Sequence, residues 1–160
     1  MKLTKEQLKQ ISELTLLHDT GKLFISDTIL NKPDNLNEKE WEIIKKHPDT
    51  GAKIISQIRK FKNGISIIKH HHERIDGSGY PNGLNGSKIP IIAKIVSIAD
   101  AIDAMLSPRP YRKPLSIEEV KKELIKNSST QFDPQIVKIA IELIEKGKIL
   151  KNKHLKIQFK

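Results

Sequence analysis

The stretch Ile89-Pro-Ile-Ile-Ala-Lys-Ile-Val-Ser-Ile-Ala constrains the fold more than any other segment. Apolar side chains occupy nearly every position, broken by Lys94 and stopped by Asp100, and a helix of that kind is stable when other elements enclose it. It is too short and too interrupted to cross a bilayer. The pattern therefore predicts a long buried helix from Pro90 to about Met105, with Pro90 in its first turn. The segments around it are helical as well. Thr4 reads as an N-cap with Gln7 three residues on and a Leu3–Leu8 staple, and Ile11, Leu14, Leu17 and His18 recur at helical spacing. Gly21 reads as a C′ stop. Asn37 with Glu40 and Ser116 with Glu119 form two further capping boxes. Asp133-Pro134 opens the last helix, and Gly147 ends it.

Between these elements the pattern predicts a connection over Asp27–Pro33. A helix with Trp41, Ile44 and His47 on one side ends before Pro48. Short helices follow over Gly51–Ile58 and from about Ile65 to Glu73. Residues 75–90 are irregular and hold four of the eight glycines. Pro108, Pro110 and Pro114 keep the next connection open. The expectation is an all-α, compact helical bundle, with one domain over residues 1–147 and a basic tail over 148–160.

Chemistry is limited by what the chain lacks. With no cysteine there is no disulfide and no thiolate, so a bound metal must rest on His, Asp or Glu. The formal net charge of +10 attracts polyanions. Arginine, the better phosphate clamp, occurs only at positions 59, 74, 109 and 112. Nucleic-acid binding is accordingly the weakest of the readings that the charge allows. The first ten residues hold no apolar core behind their positive end, so they do not form a secretory signal, and a cytoplasmic location is expected.

The histidines fall at the ends of apolar-faced helices. His18 is followed at once by Asp19, His47 closes one segment, His71-His72 close another, and Asp100 interrupts the apolar helix. Polar groups facing inward need a hydrogen bond, a partner or a metal. Imidazoles mixed with carboxylates suit iron, manganese, zinc, nickel or cobalt. Adjacent His and Asp side chains point about 100° apart on a helix, so such a pair can serve two neighbouring ions with the carboxylate bridging. Two ions so placed suit phosphoryl chemistry.

Taken together, LLHDTGK (16–22), NKP (31–33), HP (47–48), HHERIDGSGYP (71–81), SIADAIDAM (97–105), RPYR (109–112) and QFDP (131–134) resemble the HD-GYP domain. That group of HD metal-dependent phosphohydrolases cleaves cyclic di-GMP. The resemblance implies two divalent ions, iron or manganese. His18 resembles a ligand of the first ion, Asp19 the bridging carboxylate and Asp100 the remaining first-ion ligand. His47, His71 and His72 resemble ligands of the second ion. Lys22 resembles the lysine at the scissile phosphate, so that Asp19 and Lys22 are the catalytic pair. Lys22, Arg109 and Arg112 would hold substrate phosphates. Gly77, Gly79, Tyr80 and Pro81 resemble the signature loop, implicated in substrate fit and in contacts with GGDEF-type signalling domains.

The chain departs from the family pattern at one ligand. A histidine about two dozen residues before the His-Asp pair is expected, but only seventeen residues precede His18 and none is histidine. The chain thus resembles an N-terminally truncated domain lacking the first helices, with a homodimer as one way to cover the exposed bundle wall. Two functions follow from the resemblance: a phosphodiesterase giving pGpG or GMP, or an impaired remnant that binds metal, nucleotide or a signalling partner, with one ion bound in place of two. Glu73 is left open between a support for an imidazole and an exposed residue.

Overall fold

The structure, a computed structural model, describes residues 4–108 and 113–149. The regular elements among them are all helical: α1 (Lys5–Leu17), α2 (Asp27–Leu30), α3 (Glu38–Ile44), α4 (His47–Ser56), α5 (Ile65–His70), α6 (Ile91–Leu106), α7 (Ile117–Lys126) and α8 (Pro134–Glu145). Single 3₁₀ turns at Thr20–Phe24, Arg59–Gly64 and Gly86–Lys88 link them. The described residues form no strand, only an isolated bridge between Ser128 and Phe132. The all-α bundle expected from the sequence is the architecture observed. None of the described helices is long and apolar enough to cross a membrane.

Helix α6 is shared by two packed cores. On one side Val96 meets Leu14, Ala52, Ile55, Ile67 and Ile68 from α1, α4 and α5. On the other, Ile98 and Ile102 pack with Val120, Leu124, Phe132, Val137 and Ile144 from the α7–α8 half. Each fully buried large aliphatic side chain contributes about 1.5–3 kcal/mol, so the two clusters hold α6 from both flanks. That enclosure is what its nearly continuous apolar sequence requires. An apolar cavity of about 540 Å³ runs between α6 and α8, lined by Ile95, Ile98, Ile102, Ile136 and Ile139 among others. It touches none of the histidines.

Local signals set the element ends. Both capping boxes form: Asn37 accepts from the Glu40 amide, Ser116 from the Glu119 amide, and each glutamate returns to the cap's own N–H. Asp133 caps α8 through the Gln135 amide, with Pro134 in the first turn. Gly147 follows that helix at a φ of +64°, the left-handed conformation that favours glycine.

Four local expectations are corrected. His47 does not end a helix; it opens α4, because the chain turns at Lys45–Lys46 and Pro48 fits the first turn of the new helix. The helix after Ile65 stops at His70, not Glu73, with His71 as its C-cap. The Asp27–Pro33 connection contains the one-turn α2, capped by Ser26. Pro90 is the N-cap of α6, one position before its first turn. Leu3 of the α1 staple, Arg109 and Arg112, and all but the first two residues of the basic tail lie outside the described residues.

Candidate metal centre

α1 ends at Leu17, and its last turn delivers His18 and Asp19 to the face of α4. The 3₁₀ turn that follows lies directly on α4, where Gly21 and Gly51 meet backbone to backbone. A Cβ built on Gly21 falls 1.9 Å from the His47 carbonyl oxygen and 2.7 Å from the Gly51 nitrogen. Gly21 is therefore a close-approach residue, not the C′ stop expected from its position. His47 enters from the start of α4 and His71 from the end of α5. Asp100 enters from α6. Three helix ends and one buried helix converge on a single point.

Each of three imidazoles is fixed by its own chain. The Nδ1–H of His18 donates to the Thr15 carbonyl at 2.5 Å, that of His47 to Ile44 at 2.7 Å and that of His71 to Ile68 at 2.6 Å. A carbonyl can only accept, so Nδ1 carries the proton, and in a neutral ring Nε2 presents a lone pair. Such a bond is also what orients a histidine toward a metal. All three Nε2 atoms are buried without a hydrogen-bond partner, and so is Asp19 Oδ1. His47 Nε2 approaches Asp19 Oδ1 to 3.3 Å and His71 Nε2 to 4.0 Å. Lone pairs turned toward a carboxylate oxygen in a dry site are costly, about 1–3 kcal/mol for each unsatisfied group, unless a cation lies among them.

The donor set fits one. Asp19, His47, His71 and His72 each offer a ligand atom, all within 4.8 Å of one another. An ion bonded at about 2.1 Å holds its donors about 3–4 Å apart, so the set lies near the spacing a metal needs. The other carboxylate oxygen faces away: Asp19 Oδ2 is 3.4 Å from His18 Nε2, which in turn is 3.6 Å from Asp100 Oδ1. Asp19 thus lies between two donor groups, three histidines on one side and His18 with Asp100 on the other. Lys22 Nζ rests 2.7 Å from the same Oδ2.

The electrostatics keep His71, His72 and the two carboxylates in ligand form. Burial pushes His71 down to about 4, and burial together with the neighbouring His71 pushes His72 down to about 2. Both rings are neutral near pH 7. Burial opposes the Asp19 charge, but the Lys22 ammonium at its Oδ2 outweighs it and holds the carboxyl well below the ordinary carboxylate range. For Asp100 burial is likewise outweighed, by His18. The reverse holds for His18: burial disfavours its charge, yet Asp100 and Asp19 raise its pKa above the ordinary value.

The 71–81 loop closes the other side of the centre. Gly77 has a φ of +81°, which only glycine adopts freely. A Cβ on Gly79 would fall 2.4 Å from the Arg74 nitrogen and 2.6 Å from the His72 oxygen. That contact lets the Tyr80 amide donate to the His72 carbonyl at 3.2 Å and lays the Tyr80 ring over the His72 ring, centroids 4.8 Å apart. Tyr80 and Pro81 are joined by a cis peptide bond.

Glu73 is the functional residue the sequence left unassigned. It is buried, and its carboxylate accepts from the Asn82 and Leu84 amides at 2.8 and 2.9 Å. It supports no metal-facing imidazole; it fastens the far end of the signature loop. The signal in the sequence was a carboxylate directly after the histidine pair, but its partners are backbone amides nine and eleven residues on, which sequence spacing does not display. Glu73→Ala is expected to expose those two amides. Hydrogen bonds to a charged group contribute about 1.5–3 kcal/mol, so exchange protection at Asn82 and Leu84 should fall by about that amount. Unchanged protection would refute the latch.

Comparison with known proteins matches residues 1–136 to the HD domain family model. A cyclic di-GMP phosphodiesterase of Thermotoga maritima is 43% identical over 129 residues, 79% of this chain and 35% of that protein. A 3′3′-cGAMP-specific phosphodiesterase 2 of Vibrio cholerae is 39% identical over 142 residues, 88% of this chain and 27% of that protein. Among solved structures, an HDG"Y"P protein from Bdellovibrio bacteriovorus superposes with a TM-score of 0.68 at 27% identity, covering 89% of this chain and 45% of that one. The chain spans about a third or less of the length of these curated relatives.

Proposed function

This chain belongs to the HD domain family, its resemblance to the HD-GYP group holds, and on that footing we propose that it is a metal-dependent phosphodiesterase acting on a cyclic dinucleotide, cyclic di-GMP first. One observation carries the reading: a single carboxylate, Asp19, lies between two sets of donors. His47, His71 and His72 with Asp19 would hold one ion, and His18, Asp100 and Asp19 another, iron or manganese being the ions proposed. Bound there, such ions polarise a phosphoryl oxygen and lower the pKa of water.

The chain's own groups do the rest. The Nδ1 hydrogen bonds to Thr15, Ile44 and Ile68 fix three rings before substrate arrives, so little reorganisation is needed at the moment of reaction. Lys22 brings a positive charge to the edge of the Asp19 carboxylate, suited to a non-bridging phosphate oxygen. Arg109 and Arg112 are proposed to neutralise the remaining phosphate charge. Water adds at one phosphorus, the P–O3′ bond breaks, and the oxygen leaves as the 3′-hydroxyl of linear pGpG. Cleavage of the second phosphodiester would give GMP.

The test is chromatography of products from cyclic di-GMP and from 3′3′-cGAMP, with and without a chelator. Linear dinucleotide that disappears with chelator is the expected result; intact substrate in both arms would sink the reading. A second reading rests on the unequal donor sets. Among the described residues, four groups converge on one ion and three are available to the other, which favours a chain that binds one ion and nucleotide without turnover. A GGDEF-type domain and a second copy of this chain are the protein partners proposed, in a cytoplasmic setting.

A further inference from the structure

The apolar groove between α6 and α8, about 540 Å³ in volume, holds none of the metal-facing groups. Close-packed interiors leave few voids larger than a water molecule, so a space of this size is not ordinary core packing. Its floor is aliphatic, with Ile98, Ile102 and Ile136, and at its rim Ile91 and Ile139 remain 42% and 55% exposed. The charged groups in the lining are two carboxylates, Asp103 and Asp133, and Asp133 already accepts from Lys94 at 3.0 Å. The chain itself enters this groove. After α8, Gly147 takes a φ of +64° and the Lys148 amide donates to the Leu143 carbonyl at 2.9 Å, a turn that reverses the backbone at a helix end. Ile149 then joins the lining.

The sequence that follows Ile149 has the chemistry of an occupant. It reads LKNKHLKIQFK (150–160), and Leu155, Ile157 and Phe159 alternate there with Lys156, Gln158 and Lys160. Extended backbone puts such an alternation on two faces, one apolar and one polar. At about 3.3 Å per residue these residues reach about 36 Å, whereas Ile91 to Leu106 on α6 spans about 22 Å. The segment is therefore long enough to follow the groove from end to end. It carries four lysines and no acid, against a lining whose charges are acidic, and lysine stems can cover an apolar rim while their ammonium groups stay in water. The tether decides between this occupant and a free one. A short segment joined to a residue already in the groove acts at an effective concentration of about millimolar, which a second copy or a separate partner must exceed. We propose that residues 154–160 lie as an extended strap in the α6–α8 groove, with Leu155, Ile157 and Phe159 facing inward. So placed, the strap encloses α6, the helix that carries Asp100, on the flank that the two cores leave open. The proposal is independent of the phosphodiesterase reading.

The chain has no cysteine, so an introduced pair reports on one contact alone. The experiment combines Ile139→Cys, at an exposed rim position, with Leu155→Cys, Ile157→Cys or Phe159→Cys in turn, and with Lys156→Cys or Gln158→Cys as controls, all in the full chain. A disulfide closes only when the two Cα atoms come within about 7 Å. Mild oxidation of dilute protein should cross-link at least one of the three apolar positions within a single chain, while the two polar positions stay largely reduced. Equal cross-linking at all five positions, none at any, or bonds formed only between copies would overturn the strap, the last assigning the groove to a second copy. A cysteine-free variant gives a second readout. Leu155→Ser, Ile157→Ser and Phe159→Ser combined should raise the fluorescence of the apolar dye ANS and lower Tm, with helical circular dichroism unchanged, because the two packed cores are not touched. Dye binding and Tm equal to those of the wild type would overturn the proposal independently of the cross-links.

Discussion

Asp19→Asn is expected to lower cyclic di-GMP turnover on the order of a thousandfold, equivalent to about 4 kcal/mol of barrier, while leaving the metal-free protein at least as stable. The reason is the division of labour between the two oxygens. Oδ1 faces His47 and His71, and Oδ2 faces His18 and Lys22. An amide keeps one oxygen and turns an NH₂ group to the other side. It can serve one donor set but not both, and it removes the negative charge that would offset two cations. In the absence of metal the same NH₂ can donate to a buried Nε2 that now lacks a partner, which relieves an unsatisfied acceptor. Loss of the Lys22 pair costs little, since it is a partly exposed ion pair. Activity and metal content should therefore fall while the melting temperature of the metal-free form holds or rises. Turnover within tenfold of wild type would show that Asp19 does not bridge.

Gly21→Ala is expected to be the most destabilising glycine-to-alanine change among the described residues. The added carbon would fall 1.9 Å from the His47 carbonyl oxygen, and the groups it meets are backbone, which has no rotamer to change. Either the Thr20–Phe24 turn lifts away from α4 or the start of α4 moves. Overpacking of a well-fitted contact costs typically 1–3 kcal/mol and occasionally more, and this contact should lie at the upper end, about 3 kcal/mol. For a chain of this size that corresponds to a fall in Tm of roughly 6–12 °C. Because Asp19 directly precedes the turn and His47 is the group struck, metal affinity should drop with stability. Denaturant and thermal unfolding of the two proteins check it; a Tm change of a degree or two would mean that the turn relaxes freely and does not hold the centre together.

Asp19 and Gly21 differ in how far their surroundings are local in the sequence. The all-α bundle was legible because helical punctuation is local: Asn37 with Glu40, Ser116 with Glu119 and Asp133 with Pro134 form caps within three residues of chain. The centrality of α6 followed from its apolar run, since such a helix must be enclosed. The histidines were legible as a set because each ends an apolar segment beside a turn. What escaped is non-local. His47 was assigned to the wrong helix because Lys45 and Lys46 carry no strong stop signal ahead of Pro48. Gly21 looked like a helix end, since nothing in its neighbourhood announces Gly51 thirty residues on. Glu73 had no readable role until the loop it fastens was folded back on it. The three Nδ1 bonds go to backbone carbonyls, which every residue has and no sequence distinguishes.

The measurement that tests the central claim most directly is metal content by elemental analysis of anaerobically purified protein, with cyclic di-GMP turnover read on the same sample. Near two iron or manganese ions per chain, with the appearance of pGpG, is the expected result. No bound ion, with the dinucleotide left intact, would contradict it.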